Sequence, residues 1–141
     1  MPRDTRTEIL ERAEALFAQR GFYGVSIAAV VSELGLTKQA LLHYFPTKEK
    51  LYGEVLSRIS EGFGKTAMEV AASESDPSIR VHRYFLALYD WVMTEHAQAA
   101  LLMRELLDNR ERAEGVGVWY LTSFLEHLIT MIKAVPQWQS A

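Results

Sequence analysis

Apolar residues recur at helical spacing along most of this 141-residue chain, and residues that start or end helices divide the pattern into segments. The first segment begins at a capping box formed by Thr5 and Glu8. Ser26 caps the second segment, which ends at Gly35, and Thr37 caps a short third one. The pattern therefore predicts helix, helix, tight turn and helix, which is the arrangement of a helix-turn-helix.

The rest of the chain also has the spacing of helices. Thr47 caps a long segment, and Asp76 with Pro77 starts the next one, because proline is favoured at the first helical position. Gly62 and Gly64 interrupt the long segment, which predicts a bend or close packing there. The predicted helices span residues 47–72, 76–96, 98–108 and 116–134, with linkers at 73–76 and 109–115.

The predicted fold class is therefore all-α, with about seven helices. A three-helix helix-turn-helix head occupies residues 1–46, and a helical body occupies residues 47–141. The residues expected in the core of the head are Val30, Leu34, Leu41 and Phe45.

Lys38 and Lys48 fall on the first turns of the third and fourth predicted helices. Because a helix N-terminus already carries partial positive charge and unpaired N–H groups, a lysine there is locally unfavourable. It becomes favourable when an anion binds at that end. Two such ends close together in the sequence predict a surface that holds a phosphate backbone.

Residues 7–52 resemble the DNA-binding domain of TetR-family repressors. The resemblance is carried by residues 35–48, GLTKQALLHYFPTK, which follow the family's order: glycine, apolar, Ser/Thr, lysine, small residues, leucine, aromatic cluster, Ser/Thr-Lys. Gln39 departs from this order where glycine is common, and Leu42 departs where tyrosine is common. Leu42 retains only the apolar part of the tyrosine's DNA contacts, whereas the amide of Gln39 is suited to read adenine.

The resemblance implies a DNA-binding surface around the third helix. Lys48 is expected to contact phosphate, and at least one of Lys38 and Gln39 is expected to read a base. His43 and Tyr44 are both expected to reach DNA, with the packing of one of them inside the head as the alternative. The predicted DNA-binding residues are Ser26, Thr37, Lys38, Gln39, Leu42, His43, Tyr44 and Lys48.

The charge of the chain is unevenly distributed. The whole chain carries −3, but residues 1–52 hold seven basic and six acidic residues, and residues 53–141 hold eight and twelve. DNA binding therefore depends on where the charges lie rather than on their total, and an acidic body would face away from DNA. Arg3 and Arg6, placed before the first helix, are expected to add phosphate or minor-groove contacts.

The resemblance implies that the body binds a small-molecule effector among its helices. The candidate pocket residues are Phe85, Tyr89, Met103, Trp119 and Phe124, with His96, His127 and Arg104 as polar groups. The alternative is that aromatic and methionine residues at helical spacing simply form the core.

Members of this family are usually longer, and their last two helices pair across a dimer. This chain stops just after the seventh predicted helix, so that pair is expected to be absent. Either the chain is a truncated form, or it dimerises through another face. The apolar residues of 116–134 spread beyond a narrow stripe, which predicts that this helix forms a homodimer contact.

Enzyme motifs are missing from the sequence, which has no G-x-S-x-G, P-loop, H-E-x-x-H or G-x-G-x-x-G. The four histidines are dispersed, the carboxylates have the spacing of solvated helix faces, and there is no cysteine. No stretch is apolar enough to span a membrane, and no signal peptide is recognisable. These observations predict no catalysis, no cofactor, no metal site and a cytoplasmic location.

The predicted function is that of a ligand-released transcriptional repressor that binds a palindromic operator in double-stranded DNA. The resemblance implies that ligand swings the fourth helix and changes the separation of two heads in a dimer. The alternative is a protein-interaction module that keeps the helix-turn-helix shape without binding DNA. Leu42 and the acidic total favour this alternative slightly, whereas the two lysines at helix N-termini argue against it.

Overall fold

The structure is a computed structural model that describes residues 4–108 and 122–139. Every regular element within these residues is helical, which confirms the predicted all-α class. None of the helices in this part of the chain is both long and apolar enough to cross a membrane. The α-helices are α1 Thr5–Arg20, α2 Ile27–Leu34, α3 Lys38–Tyr44, α4 Lys48–Ala72, α5 Pro77–Thr94, α6 His96–Asp108 and α7 Thr122–Lys133, followed by a 3₁₀ helix at Pro136–Trp138.

The caps of α2 and α3 lie where the sequence predicts them. The Ser26 hydroxyl accepts a hydrogen bond from the Ala29 N–H at 3.1 Å, and the Thr37 hydroxyl accepts one from the Ala40 N–H at 3.1 Å. Gly35 follows α2 with a φ of 65°, a left-handed conformation that glycine adopts without strain. These local signals set the tight turn between the two helices.

The capping box predicted at Thr5 and Glu8 is wrong by one residue. Thr5 is already helical, and the cap is Asp4, whose carboxylate accepts the Arg6 N–H at 3.4 Å. The expectation that Arg6 precedes the first helix is therefore also wrong. The Arg6 guanidinium pairs with the Glu54 carboxylate at 2.7 Å, so it is engaged within the protein.

The chain divides into two compact units. The first unit comprises residues 1–58 and 97–108, and the second comprises residues 59–96 and 109–141. α4 contributes to both, because it runs without a break from Lys48 to Ala72. The predicted division at residue 46 separates a DNA-binding head from a regulatory body, which is a division by function, and it stays a prediction. The buried apolar residues of the first unit include Ile9, Ala13, Phe17, Val30, Leu41, Phe45, Leu51, Val55, Leu56 and Leu101.

Polar contacts tie α6 to the other helices of the first unit. The Tyr52 hydroxyl on α4 donates a hydrogen bond to the Glu105 carboxylate on α6 at 2.6 Å. Glu105 is only 7% exposed, so the interpretation of all carboxylates as solvated helix faces is wrong for this residue. The Gln98 amide on α6 donates to the Glu14 carboxylate on α1 at 2.7 Å. These pairs are distant in the sequence, so helical spacing alone could not reveal them.

The second unit has its own apolar core, in which α5 packs against α7. The ring of Phe63 on α4 lies 6.4 Å from the ring of Tyr84 and 4.8 Å from that of Trp91. Burial raises the pKa of Tyr84 to about 12. The buried residues of this core are Phe63, Ala67, Ala71, Val81, Tyr84, Met131 and Val135.

Some predicted details of the later helices differ from the structure. A Cβ atom added at Gly62 or Gly64 would meet no atom within 4 Å, so close packing does not explain these glycines. The boundary between α5 and α6 lies at Thr94 and His96, two residues before the predicted positions. α7 is the described part of the predicted helix 116–134, and the predicted linker 109–115 lies outside the described residues.

Candidate nucleic-acid interface

The two faces of α3 differ in exposure. Leu41 is 0% exposed, and Phe45, the residue after the helix, is 1% exposed, so they anchor α3 to the core of the first unit. Leu42 is half-buried, as is Leu34 on α2, which was expected in the core. The residues of α3 that are exposed and available to a partner are Lys38, Gln39, His43 and Tyr44.

His43 and Tyr44 are both on the surface. Their rings meet edge to face with centroids 5.4 Å apart, and Tyr44 is 39% exposed. Neither ring is packed inside the first unit, so the alternative in which one of them serves the core does not match the structure. Contact of either residue with DNA stays a prediction.

An open groove of about 610 Å³ lies beside α3. We call it the cationic groove, because Arg20, Lys38 and Lys48 line it. The starts of three helices meet at this groove, since α2 begins after Ser26, α3 begins at Lys38 and α4 begins at Lys48. The complete described lining is Arg20, Tyr23, Gly24, Val25, Ser26, Ile27, Ala28, Ala29, Lys38 and Lys48.

The electrostatics of the cationic groove suit an anion. No acidic residue is among its described lining residues, so the three cations face no carboxylate of the groove itself. The first amide groups of α2, those of Ile27 and Ala28, have no acceptor within their own helix because of helix geometry. The Ser26 hydroxyl accepts at the cap and retains its O–H as a donor. The groove can therefore offer several donors to one phosphate group.

Lys48, which lines the groove, contacts an aromatic ring. Its ammonium nitrogen Nζ lies 4.2 Å from the centroid of the Phe22 ring, within the range of a cation–π interaction. The Thr47 hydroxyl caps α4 by accepting the Lys50 N–H at 3.1 Å, as predicted. The start of α4 and the turn between α1 and α2 thus meet at one contact.

The structure adds groove residues that the sequence reasoning missed. Arg20 ends α1, and Tyr23 in the following turn is 83% exposed beside the groove. Gly24 is required in this turn, because a Cβ there would lie 2.3 Å from the Arg20 carbonyl oxygen. The sequence signal that could have pointed to this turn is an aromatic pair bounded by Gly21 and Gly24, next to the cap of α2.

The structure therefore brings only some of the predicted DNA-binding residues together at the groove. Ser26, Lys38 and Lys48 share the cationic groove, whereas the other predicted DNA-binding residues belong to α3 and its cap. Arg3 lies outside the described residues.

The residues predicted for the effector pocket are divided between the two units or lie outside the described residues. Phe85 and Tyr89 lie one turn apart on α5 in the second unit and are 46% and 60% exposed. Met103 is exposed on α6 in the first unit. Trp119 and the side chain of Phe124 lie outside the described residues, so the pocket stays a prediction.

Comparison with known proteins identifies the family. The profile of "Bacterial regulatory proteins, tetR family" matches residues 9–55. The regulator RutR of Escherichia coli K12, described as an HTH-type transcriptional regulator, is 43% identical over 149 aligned positions, which cover 92% of this chain and 70% of RutR. The chain belongs to the TetR family. This confirms the resemblance recognised over residues 7–52.

Other TetR-family proteins match a smaller share of their own length. The transcriptional repressor KstR2 of Mycobacterium tuberculosis H37Rv is 27% identical over 100 residues, which are 71% of this chain and 50% of KstR2. The chain thus spans about half the length of the KstR2 proteins that it matches.

Solved TetR-family structures share the fold. A regulator of this family from Shewanella sp. PV-4 superposes with a TM-score of 0.79 at 24% identity, covering 98% of this chain and 71% of that one. M. tuberculosis KstR2 superposes with a TM-score of 0.70 at 23% identity, covering 92% and 63%.

Proposed function

We propose that this TetR-family chain is a DNA-binding transcriptional regulator whose cationic groove holds a backbone phosphate while α3 reads base edges. The observation that carries the proposal is the meeting of Arg20, Lys38 and Lys48 with three helix starts around one open groove. Because phosphate contacts set register and base contacts set sequence preference, the two surfaces have separate roles.

The roles of individual residues follow from their positions. Lys48 and the O–H of Ser26 contact phosphate in the groove, and the Thr37 hydroxyl can add a further phosphate contact. Lys38 and Gln39 lie on the first turn of α3, the part of a recognition helix that meets base edges. Gln39 is suited to adenine because its amide matches the N6 and N7 atoms.

Regulation by a ligand forms the second part of the proposal. The regulators of this family bind DNA and small-molecule effectors and act as dimers. KstR2 is described as a repressor, and its structure as that of a ketosteroid transcriptional regulator. For this chain we propose that an effector of unassigned chemistry binds in the body. The chain represses transcription when the effector is absent, and it acts in the cytoplasm, where DNA is accessible.

α4 is the element suited to transmit such a signal. It begins at the cationic groove with Lys48 and continues without a break into the second unit. An effector that shifts the later part of α4 would therefore change the separation of two heads in a dimer. The heads would then no longer fit successive major grooves of a palindromic operator.

A homodimer contact on residues 116–134 remains part of the proposal. In the described part of this helix, Met131 is buried in the chain's own core, whereas Ile129 is 50% exposed and free to meet a second copy. Analytical ultracentrifugation tests the contact: we expect a dimer that Ile129→Glu dissociates. A stable monomer in the parent protein would contradict it.

The experiment that tests DNA binding is a salt titration with duplex DNA of random sequence. We expect affinity to fall steeply and linearly on a log–log plot, since each phosphate contact contributes about −0.9 to the slope. The variant that combines Arg20→Ala, Lys38→Ala and Lys48→Ala should lose most of this dependence. Absence of any salt-dependent binding by the folded parent would favour the protein-interaction alternative instead.

A further inference from the structure

Phe22 lies in the turn between α1 and α2, next to Tyr23, which lines the cationic groove. Its half-buried ring lies beneath the Lys48 ammonium, with Nζ 4.2 Å from the ring centroid. The face of an aromatic ring carries negative charge density, which attracts a cation within about 6 Å. The position of the Lys48 side chain is therefore linked to a residue far from α4 in the sequence.

The Phe22 ring is itself firmly supported. Phe17 stacks on it with ring centroids 6.3 Å apart, and Tyr52 tilts against it at 4.9 Å. Phe17 is 0% exposed and Tyr52 is 6% exposed, so both supports belong to the core of the first unit. The hydrogen bond from Tyr52 to Glu105 holds the second support in turn. The ring is thus a rigid element, whereas a lysine side chain normally samples many rotamers.

We propose that Phe22 is a positioning residue that holds the Lys48 ammonium at the cationic groove before DNA arrives. A lysine that binds phosphate loses rotamer freedom, and a side chain already held in place loses less. The ring occupies one side of the ammonium and leaves N–H donors on the other side for a phosphate oxygen. This proposal rests on the proposed function, because it requires Lys48 to bind DNA.

A purely structural role for Phe22 makes a different prediction. An apolar side chain such as leucine would still fill the space between Phe17 and Tyr52, but it would not attract a cation. A tyrosine at position 22 would keep the negative ring face. The two roles are therefore separated by substitutions that change the ring rather than the apolar volume.

The test is a double-mutant cycle on affinity for random duplex DNA, using Phe22→Leu, Lys48→Ala and the two combined. We expect Phe22→Leu to weaken binding about two- to fivefold while Lys48 is present, and to add nothing in the Lys48→Ala background. Phe22→Tyr should bind like the parent. Phe45→Leu is the matched control, because the Phe45 ring lies beneath Arg6 at 5.1 Å instead, and its effect should be equal in both backgrounds.

Circular dichroism and urea unfolding check that each variant is folded. If Phe22→Leu destabilises the first unit, a fluorinated phenylalanine at position 22 removes the negative ring face with little change in shape, and the same loss of affinity is expected. Equal weakening with and without Lys48 would show that Phe22 acts only in the core. Tighter binding by Phe22→Leu would mean that the ring holds Lys48 away from phosphate, which also overturns the proposal.

The cycle separates the failure of this proposal from that of the proposed function. If Lys48→Ala weakens binding but shows no coupling to Phe22→Leu, only the positioning role fails. If Lys48→Ala leaves affinity unchanged, the assignment of Lys48 to phosphate fails and the positioning role fails with it, whereas salt-dependent binding by the parent protein would still support DNA binding by the groove.

Discussion

Replacement of Lys48 by alanine tests the cationic groove most directly, because Lys48 begins α4 and lines the groove. Each phosphate that a protein neutralises releases counterions, so loss of one contact makes the log–log salt slope shallower by about 0.9. Between about 50 and 200 mM salt, the affinity of the variant should therefore fall about 3.5-fold less than that of the parent for one bound head, and about 12-fold less when both heads of a dimer are bound. The change should be the same on specific and random DNA, since phosphates carry no base sequence.

Fluorescence anisotropy with a labelled duplex over a salt series measures this slope. Lys50→Ala is the matched control, because it removes the same charge from an exposed position on the same helix. Two residues correspond to about 200° around the helix axis, so Lys50 lies on a different side of α4 from Lys48. We expect an unchanged slope for Lys50→Ala. The reasoning is refuted if folded Lys48→Ala keeps the parent slope, or if both variants change it equally.

Four further predictions concern base reading, the turn after α1, Gly62 in α4 and alkaline stability. Gln39→Ala should weaken binding by about 1–3 kcal/mol at one base position, and identical motifs selected from a random DNA pool would contradict this. Gly24→Ala should destabilise the fold by about 1–3 kcal/mol in urea unfolding, because its Cβ would lie 2.3 Å from the Arg20 carbonyl oxygen. Gly62→Ala, in open space on a helix, should instead stabilise by up to about 1 kcal/mol. Because burial raises the pKa of Tyr84 from 10.0 to about 12, its neutral form stabilises the fold fully below pH 10. On the order of 2–3 kcal/mol of the free energy of unfolding should be lost as the pH rises from 10.0 to about 12. Tyr84→Phe should abolish this loss.

The elements that could be predicted from the sequence are those with local causes. Ser26 and Thr37 act as caps within three residues of their partners, and Gly35 allows a left-handed turn at one position. The exposed and buried faces of α3 follow from helical spacing alone, which placed Leu41 inside and Gln39 outside. Family resemblance then added the expected roles.

The features that could not be predicted depend on contacts between distant segments. Helical spacing gives a carboxylate such as Glu105 the appearance of a solvated residue, but Glu105 is buried and accepts a hydrogen bond from Tyr52 on another helix. Likewise, Arg20 and Tyr23 follow no helical pattern that points to DNA. They reach the cationic groove because the turn after α1 brings them beside the starts of α3 and α4.

The hydrogen bond between Tyr52 and Glu105 limits how the segment that contains α1, α2 and α3 can be transplanted. The two residues are 53 positions apart, so the first unit closes only after α6 has been synthesised and packed. A fragment that ends at residue 58 would lack Glu105 and would uncover the surface that Leu101 and Leu102 bury. A hybrid regulator that carries residues 1–58 on a foreign body would therefore keep these contacts only if it also carried residues 97–108 of this chain.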